Sequence, residues 1–182
     1  MQLAGSKTLE NIKTAFLGES QATIKYYIYS DIAKKDGYQE ISGIFDNIAH
    51  NEYAHAQLLL TLISDGIPTD TVKALENAAG GEHYEWAEAY ALFARTARDE
   101  GFDNIANIFD MIAAIEKDHE ARFHFWIDQI NNGKVFTDDG ETVWICRNCG
   151  HIHAGTSAPQ VCPVCKKPQA YFERKDGYKH GT

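Results

Sequence analysis

A glutamate and a histidine stand where leucines belong, in two stretches of this chain 64 residues apart. Between Ile41 and Ile63, steps of alternately three and four residues give Ile41, Phe45, Ile48, Glu52, His55, Leu59 and Leu62. That is one stripe on one helix face, expected to point into a core. Glu52 and His55 lie one turn apart and about 60° around the helix, so a carboxylate and an imidazole can converge on one point. Burying them without a cationic partner would cost several kcal/mol.

The same pattern recurs downstream. Ile44-Phe45-Asp46, Ile48-Ala49, Glu52 and His55 align with Ile108-Phe109-Asp110, Ile112-Ala113, Glu116 and His119, and the offset carries Asp36-Gly37-Tyr38 onto Glu100-Gly101-Phe102 and Tyr26 onto Tyr90. This is an internal duplication. A lone Glu-x-x-His on a helix is weak support for a metal site; two in equivalent frames are far stronger.

Each copy is expected to begin with a further helix. The first is capped near Ser6 or Thr8, stops at Lys34-Lys35-Asp36-Gly37, and carries Leu9, Ile12, Phe16, Glu19, Thr23 and Tyr26 on one stripe. The second helix, the opening stretch, stops at Asp65-Gly66 before Pro68, and a long connection should run to about Asn77. The third carries Leu75, Ala78, Glu82, Glu85, Ala89 and Leu92, and the fourth ends at Asn131-Asn132-Gly133. Residues 1–138 therefore predict a mainly α domain, a four-helix bundle. One glutamate from each of two helices plus Glu-x-x-His from each of the other two is the ligand arithmetic of a carboxylate-bridged dinuclear centre. Its set is Glu19, Glu52, His55, Glu82, Glu85, Glu116 and His119, and mixed oxygen and nitrogen donors suit iron or manganese. Tyr26 and Tyr90 fall about two turns beyond Glu19 and Glu82, as core aromatics or as hydroxyl donors to a ligand or a bound oxygen species.

Residues 139–182 read differently: Gly140, Gly150, Gly155 and Pro159 punctuate short β-prone segments. Cys146-x-x-Cys149 and Cys162-x-x-Cys165 make two knuckles that predict one tetrahedral four-thiolate site in a small β-rich module. Spacing leaves structural zinc and redox iron equally open.

The net charge of -9 argues against a nucleic-acid partner. It is concentrated in residues 1–138, with 22 acidic and 11 basic side chains, against 4 and 6 in residues 139–182. Weak docking of tail on helical body is the expectation. The N-terminus lacks an apolar signal core and no run reaches the roughly 18 residues of a membrane span, so a cytoplasmic protein is expected.

Together these motifs, from Gly18-Glu19-Ser20-Gln21-Ala22 through Glu52-x-x-His55, Gly81-Glu82-His83-x-Glu85 and Glu116-x-x-His119 to the two knuckles, resemble the rubrerythrin family over almost the whole chain. The resemblance implies a ferritin-like di-iron bundle followed by a rubredoxin-like domain. It implies a non-haem peroxidase that reduces hydrogen peroxide to water, with the seven Glu and His residues on two irons and Cys146, Cys149, Cys162 and Cys165 on a third. It further implies exchange of His55 and Glu85 at one iron, an electron-donating reductase (NAD(P)H-linked) or rubredoxin, and head-to-tail homodimers or higher oligomers. The residues alone also allow a ferritin-type iron store, or a binding or sensor protein stapled by zinc.

Overall fold

The structure, a computed structural model, describes residues 3–63 and 66–177. It is mostly helical with a small C-terminal antiparallel sheet. Its packing divides into two units, Met1–Pro68 and Thr69–Thr182.

The first unit is a helix pair, α1 (Lys7–Lys35) and α2 (Gln39–Leu62). Ser6 caps α1, its Oγ accepting from the Leu9 N–H at 3.1 Å. The turn needs a residue in the left-handed region, and Gly37 supplies it at φ 88°. The Tyr38 N–H then closes on the Ala33 carbonyl at 2.9 Å. Asp65 of the expected stop lies outside the described residues. The seam between the helices is made of small side chains, with Thr23, Ser30 and Ala33 buried on α1 and Ser42, Ala49 and Ala56 on α2. Small residues let two backbones approach closely. The stripe expected to face a core is consequently not that seam: of its residues, Ile41, Ile48 and Leu62 are 38–47% exposed.

One polar pair lies inside the seam. The Ser30 and Ser42 hydroxyls share a 2.9 Å hydrogen bond and are almost wholly buried. At the duplicated offset of 64 these positions are Ala94 and Ala106, also buried. Replacing Ser30 alone by Ala is expected to cost about 1–3 kcal/mol, because Ser42 is left unsatisfied. The Ser30→Ala/Ser42→Ala double variant should regain most of it, a coupling that urea unfolding in a double-mutant cycle measures.

The second unit starts with α3 (Thr71–Tyr84), a π-helical turn (Glu85–Ala89), α4 (Tyr90–Asp99) and α5 (Asp103–Asn131). Helix α3 begins before the expected Asn77, because Asp70 caps it by accepting the Lys73 N–H at 2.9 Å. That N–H, helped by the Thr69 hydroxyl and Lys73, holds the Asp70 carboxyl below its ordinary 3.8. A lowered carboxylate pKa stabilises above its unfolded value and stops doing so as pH falls through the folded one. The first turn of α3 should therefore fray below pH 3.8, visible as lost hydrogen-exchange protection at Lys73.

The duplication is carried into three dimensions. The α1–α2 turn has its copy where Gly101 takes φ 83° and the Phe102 N–H closes on the Ala97 carbonyl at 2.7 Å. Lys34–Asp46, at 3.5 Å, recurs as Arg98–Asp110. Tyr26, Tyr29 and Phe45 cluster with centroids 5.7–6.2 Å apart, and Tyr90, Phe93 and Phe109 repeat the cluster at 5.8–6.0 Å. One feature breaks the copy. Glu19 to Tyr26 spans seven positions, while Glu82 to Tyr90 spans eight. The π turn absorbs the extra residue, its wider ring closed by the Tyr90 N–H on the Glu85 carbonyl.

After α5 come β1 (Thr137–Cys146), β2 (Ile152–Ser157) and β3 (Phe172–Arg174), in the order β2-β1-β3. The core of this sheet is small: Trp144, Cys146, Ala158, Cys162 and Phe172. Arg174 joins sheet to helix. Its guanidinium donates to Gln129 of α5 at 3.2 Å, to the Lys134 carbonyl at 2.7 Å and to Asp138 at 3.3 Å, and lies 5.1 Å from the Trp144 ring centroid.

Candidate metal centres

Each helix pair assembles half of the expected Glu and His set. In the first unit, Glu19 of α1 meets Glu52 and His55 of α2, with one ligand atom from each within 4.8 Å of the others. The His55 Nδ1 to Glu52 Oε2 distance is 2.8 Å. In the second, Glu82 of α3 meets Glu116 and His119 of α5 within the same limit, with His119 Nδ1 2.6 Å from Glu116 and 3.8 Å from Glu82. The three-residue spacing brings each carboxylate to its own imidazole, and the antiparallel partner supplies the third group. The carboxylates are mostly covered, at 16–21% exposed for Glu52, Glu82 and Glu116, whereas His55 is 59% exposed.

The second triad is electrostatically strained without a cation. Burial, followed by the charges of Glu116 and Glu85, pushes the Glu82 carboxyl above its usual range, against the pull of His119. The same carboxylates, after burial, raise the Tyr90 phenol. A divalent ion would relieve both effects.

Glu85 is not in the triad. It opens the π turn and is exposed. The first helix pair has no counterpart, since the matching position is Gln21 or Ala22 depending on the side of the insertion. Tyr26 and Tyr90 sit in their aromatic clusters, the Tyr90 ring next to the carboxylates that perturb it.

A polar network beside the second triad was not apparent in the sequence. Glu120 accepts from Trp86 Nε1 at 2.5 Å and from His83 Nδ1 at 3.1 Å, with His124 Nε2 3.5 Å away. These contacts, the Trp86 bond first, hold its carboxyl below the usual range. The available signal was that His83, Trp86 and Glu120 each directly follow an expected ligand.

The four cysteines converge. Cys146 and Cys165 sulfurs lie 3.7 Å apart, as do Cys149 and Cys162, and all four are within 4.8 Å of one another. A disulfide bond is far shorter. The separation matches the edge of a tetrahedron with metal–sulfur bonds of about 2.3 Å, roughly 3.8 Å. The knuckles are built alike: the Gly150 N–H closes on the Cys146 carbonyl at 2.8 Å and the Lys166 N–H on Cys162 at 3.0 Å, with Gly150 and Lys166 both at positive φ. The Lys167 N–H, and then sulfur hydrogen bonds from the other three cysteines, bring Cys165 down to about 6. The His151 N–H favours the Cys149 thiolate, but burial and the same three-sulfur network outweigh it and push Cys149 up to about 12. The cluster thus already favours a thiolate at one corner.

Comparison with known proteins now decides the family. Residues 10–127 match the rubrerythrin family, and residues 144–173 match the rubrerythrin rubredoxin-like domain. This chain belongs to the rubrerythrin family. It is similar to rubrerythrin-1 of Clostridium acetobutylicum, 46% identical over 94% of this chain and 95% of that protein. It is likewise similar to rubrerythrin of Nitratidesulfovibrio vulgaris, 44% identical over 94% and 95%. Among solved structures, nigerythrin in a mixed-valence state aligns at 29% identity over 95% of this chain and 91% of that one, with a TM-score of 0.34. The family cofactors, a carboxylate-bridged di-iron centre and one iron on four cysteines, fit the donors present: Glu and His in the helical part, Cys146, Cys149, Cys162 and Cys165 in the module. The chain is an oxidoreductase by family, and none of its described helices is long and apolar enough to cross a membrane.

Proposed function

We propose that this chain is a hydrogen peroxide reductase. Hydrogen peroxide, two electrons and two protons yield two waters. The observation that supports this reading most is the presence in one chain of Glu and His triads on both helix pairs together with a tetrathiolate cluster. A storage protein needs no one-electron module; a peroxidase needs its site re-reduced after each turnover. Bound irons would supply paired electrons to the O–O bond, and the four-thiolate iron would relay electrons from an NAD(P)H-linked reductase or a rubredoxin.

The residues have separable tasks. Residues 1–138 form the di-iron bundle and residues 139–182 the relay. Glu19, Glu52, Glu82, Glu116, His55 and His119 hold the metals, their carboxylates offsetting the charge of two close cations. With iron bound, Glu85 and His55 would be the ligands that exchange with oxidation state: Glu85 is an exposed side chain at the opening of the π turn, and His55, 59% exposed, reaches Glu52 at 2.8 Å. Tyr26 and Tyr90 lie in the aromatic clusters, from which, with iron bound, their hydroxyls would donate to a ligand or to the peroxide. The protein acts in the cytoplasm as a head-to-tail homodimer in which one copy's module serves its partner, and sedimentation of a fully active monomer would contradict that arrangement.

The test measures peroxide loss coupled to NADH oxidation through a reductase, against oxidation of free ferrous iron with growth of a mineral core. Stoichiometric peroxide consumption without a core supports the proposal. Core formation without reductase dependence would replace it with iron storage.

A further inference from the structure

Behind the second metal triad runs a parallel set of side chains displaced by one residue. His83 follows Glu82, Trp86 follows Glu85, Lys117 follows Glu116 and Glu120 follows His119. One residue along a helix turns a side chain by about 100°, so each leaves the ligand face while sharing the backbone that carries a ligand. The four meet one another. Glu120 on α5, only 18% exposed, takes the Trp86 indole N–H on one oxygen and the His83 Nδ1 on the other. The His83 and Trp86 rings meet edge to face at 5.3 Å, and the Lys117 ammonium lies 5.1 Å from the Trp86 ring centroid. Both bonds to Glu120 cross between the segment holding Glu82 and Glu85 and the helix holding Glu116 and His119.

Among the described residues, the first helix pair has nothing equivalent. The residues following Glu19, Glu52 and His55 are Ser20, Tyr53 and Ala56. Ser20 donates to its own helix at Phe16, and among the described residues no side-chain hydrogen bond joins α1 to α2 at that level. The π turn gives the asymmetry a physical reason. A π-helical turn is intrinsically less favourable than α and needs outside support, and Trp86 lies within this one.

We propose that Glu120, held by Trp86 and His83, is a positioning residue that fixes the distance between Glu82 on α3 and the Glu116–His119 pair on α5. The second triad is thereby a braced metal site. A gripped outer layer orients ligands, and its loss typically lowers metal affinity about 10–100-fold.

The inference rests on the metal reading of the triads and not on the peroxidase reading, so its test uses metal binding alone. Full-length protein freed of metal is titrated with Co(II) against a competing chelator, following absorption; Glu82→Ala identifies which of the two non-cysteine sites belongs to the second triad. Trp86→Phe keeps the ring and deletes the N–H; Glu120→Leu deletes both acceptors. Each should weaken that site about 10–100-fold and leave the other site and the cysteine site within about threefold. Glu120→Gln retains an oxygen for Trp86 and should recover most of the affinity. Equal weakening of both sites in step with a lowered Tm, or no change at either, overturns the proposal. Failure of the unsubstituted chain to bind cobalt outside the cysteines would overturn the metal reading, and this inference with it.

Discussion

Replacement of Cys162 by Ser is expected to empty the four-cysteine site and unfold residues 137–174, while the helices stay intact. Cys162 is fully buried and is itself one of five residues that make the module's core. So few side chains cannot hold a fold of this size without a staple. In metal-stapled modules the metal supplies the folding free energy, about 10–16 kcal/mol for zinc in zinc-finger peptides. The loss of one ligand therefore exceeds anything the sheet can recover from Trp144 and Phe172. Metal content and amide dispersion of the module resolve it: one metal fewer per chain, collapsed signals from β1 to β3 and unchanged helical signals are expected. A dispersed, folded sheet in the metal-free variant would show that the cluster is not its staple. The same metal analysis decides iron against zinc, since a tetrathiolate ferric site is coloured and bleaches on reduction.

Replacement of Glu116 by Ala is expected to lower peroxide turnover by more than about 100-fold, since even outer partners of ligands cost about 10–100-fold in activity. The variant has a second signature that separates a ligand from a structural residue. Glu116 and Glu82 share one triad, and burial together with the Glu116 charge already raises the Glu82 carboxyl. Removing one of two crowded like charges relieves repulsion. The metal-free variant should accordingly unfold at the same or higher urea concentration than the metal-free parent, while the metal-loaded variant should lose the stabilisation that bound iron confers on the parent. Iron stoichiometry, turnover and the two urea midpoints form one experiment. Destabilisation of the metal-free form would assign Glu116 to packing instead.

Much of the candidate site was legible because the spacing of its donor groups obeys local rules. Glu52-x-x-His55 and Glu116-x-x-His119 converge by helix periodicity alone, and the knuckles at Cys146 and Cys162 are sets of hydrogen bonds closed within five residues. The 64-residue repeat survives in the structure down to individual contacts, including Lys34–Asp46 and Arg98–Asp110. Other features escaped. The apolar stripe of α2 suggested a buried face, yet the pair closes through Ser42, Ala49 and Ala56, because close approach favours small side chains over bulky ones. Glu82 and Glu85 share one face of an ideal α-helix, and the structure places Glu82 in the triad and Glu85 at the opening of the wider turn at Glu85–Ala89. The Glu120 network was invisible since its partners are 34 and 37 residues away in sequence.

By itself, then, the order of residues determined the identity of the donors, their pairing within a helix and the duplicated frame, since periodicity and turn chemistry act over a few positions. Which donors share a triad, where the helix widens and which side chains brace it were decided only by the tertiary structure. Those outcomes depend on how two distant backbones approach, and the distance of that approach is set by side chains that no local rule connects.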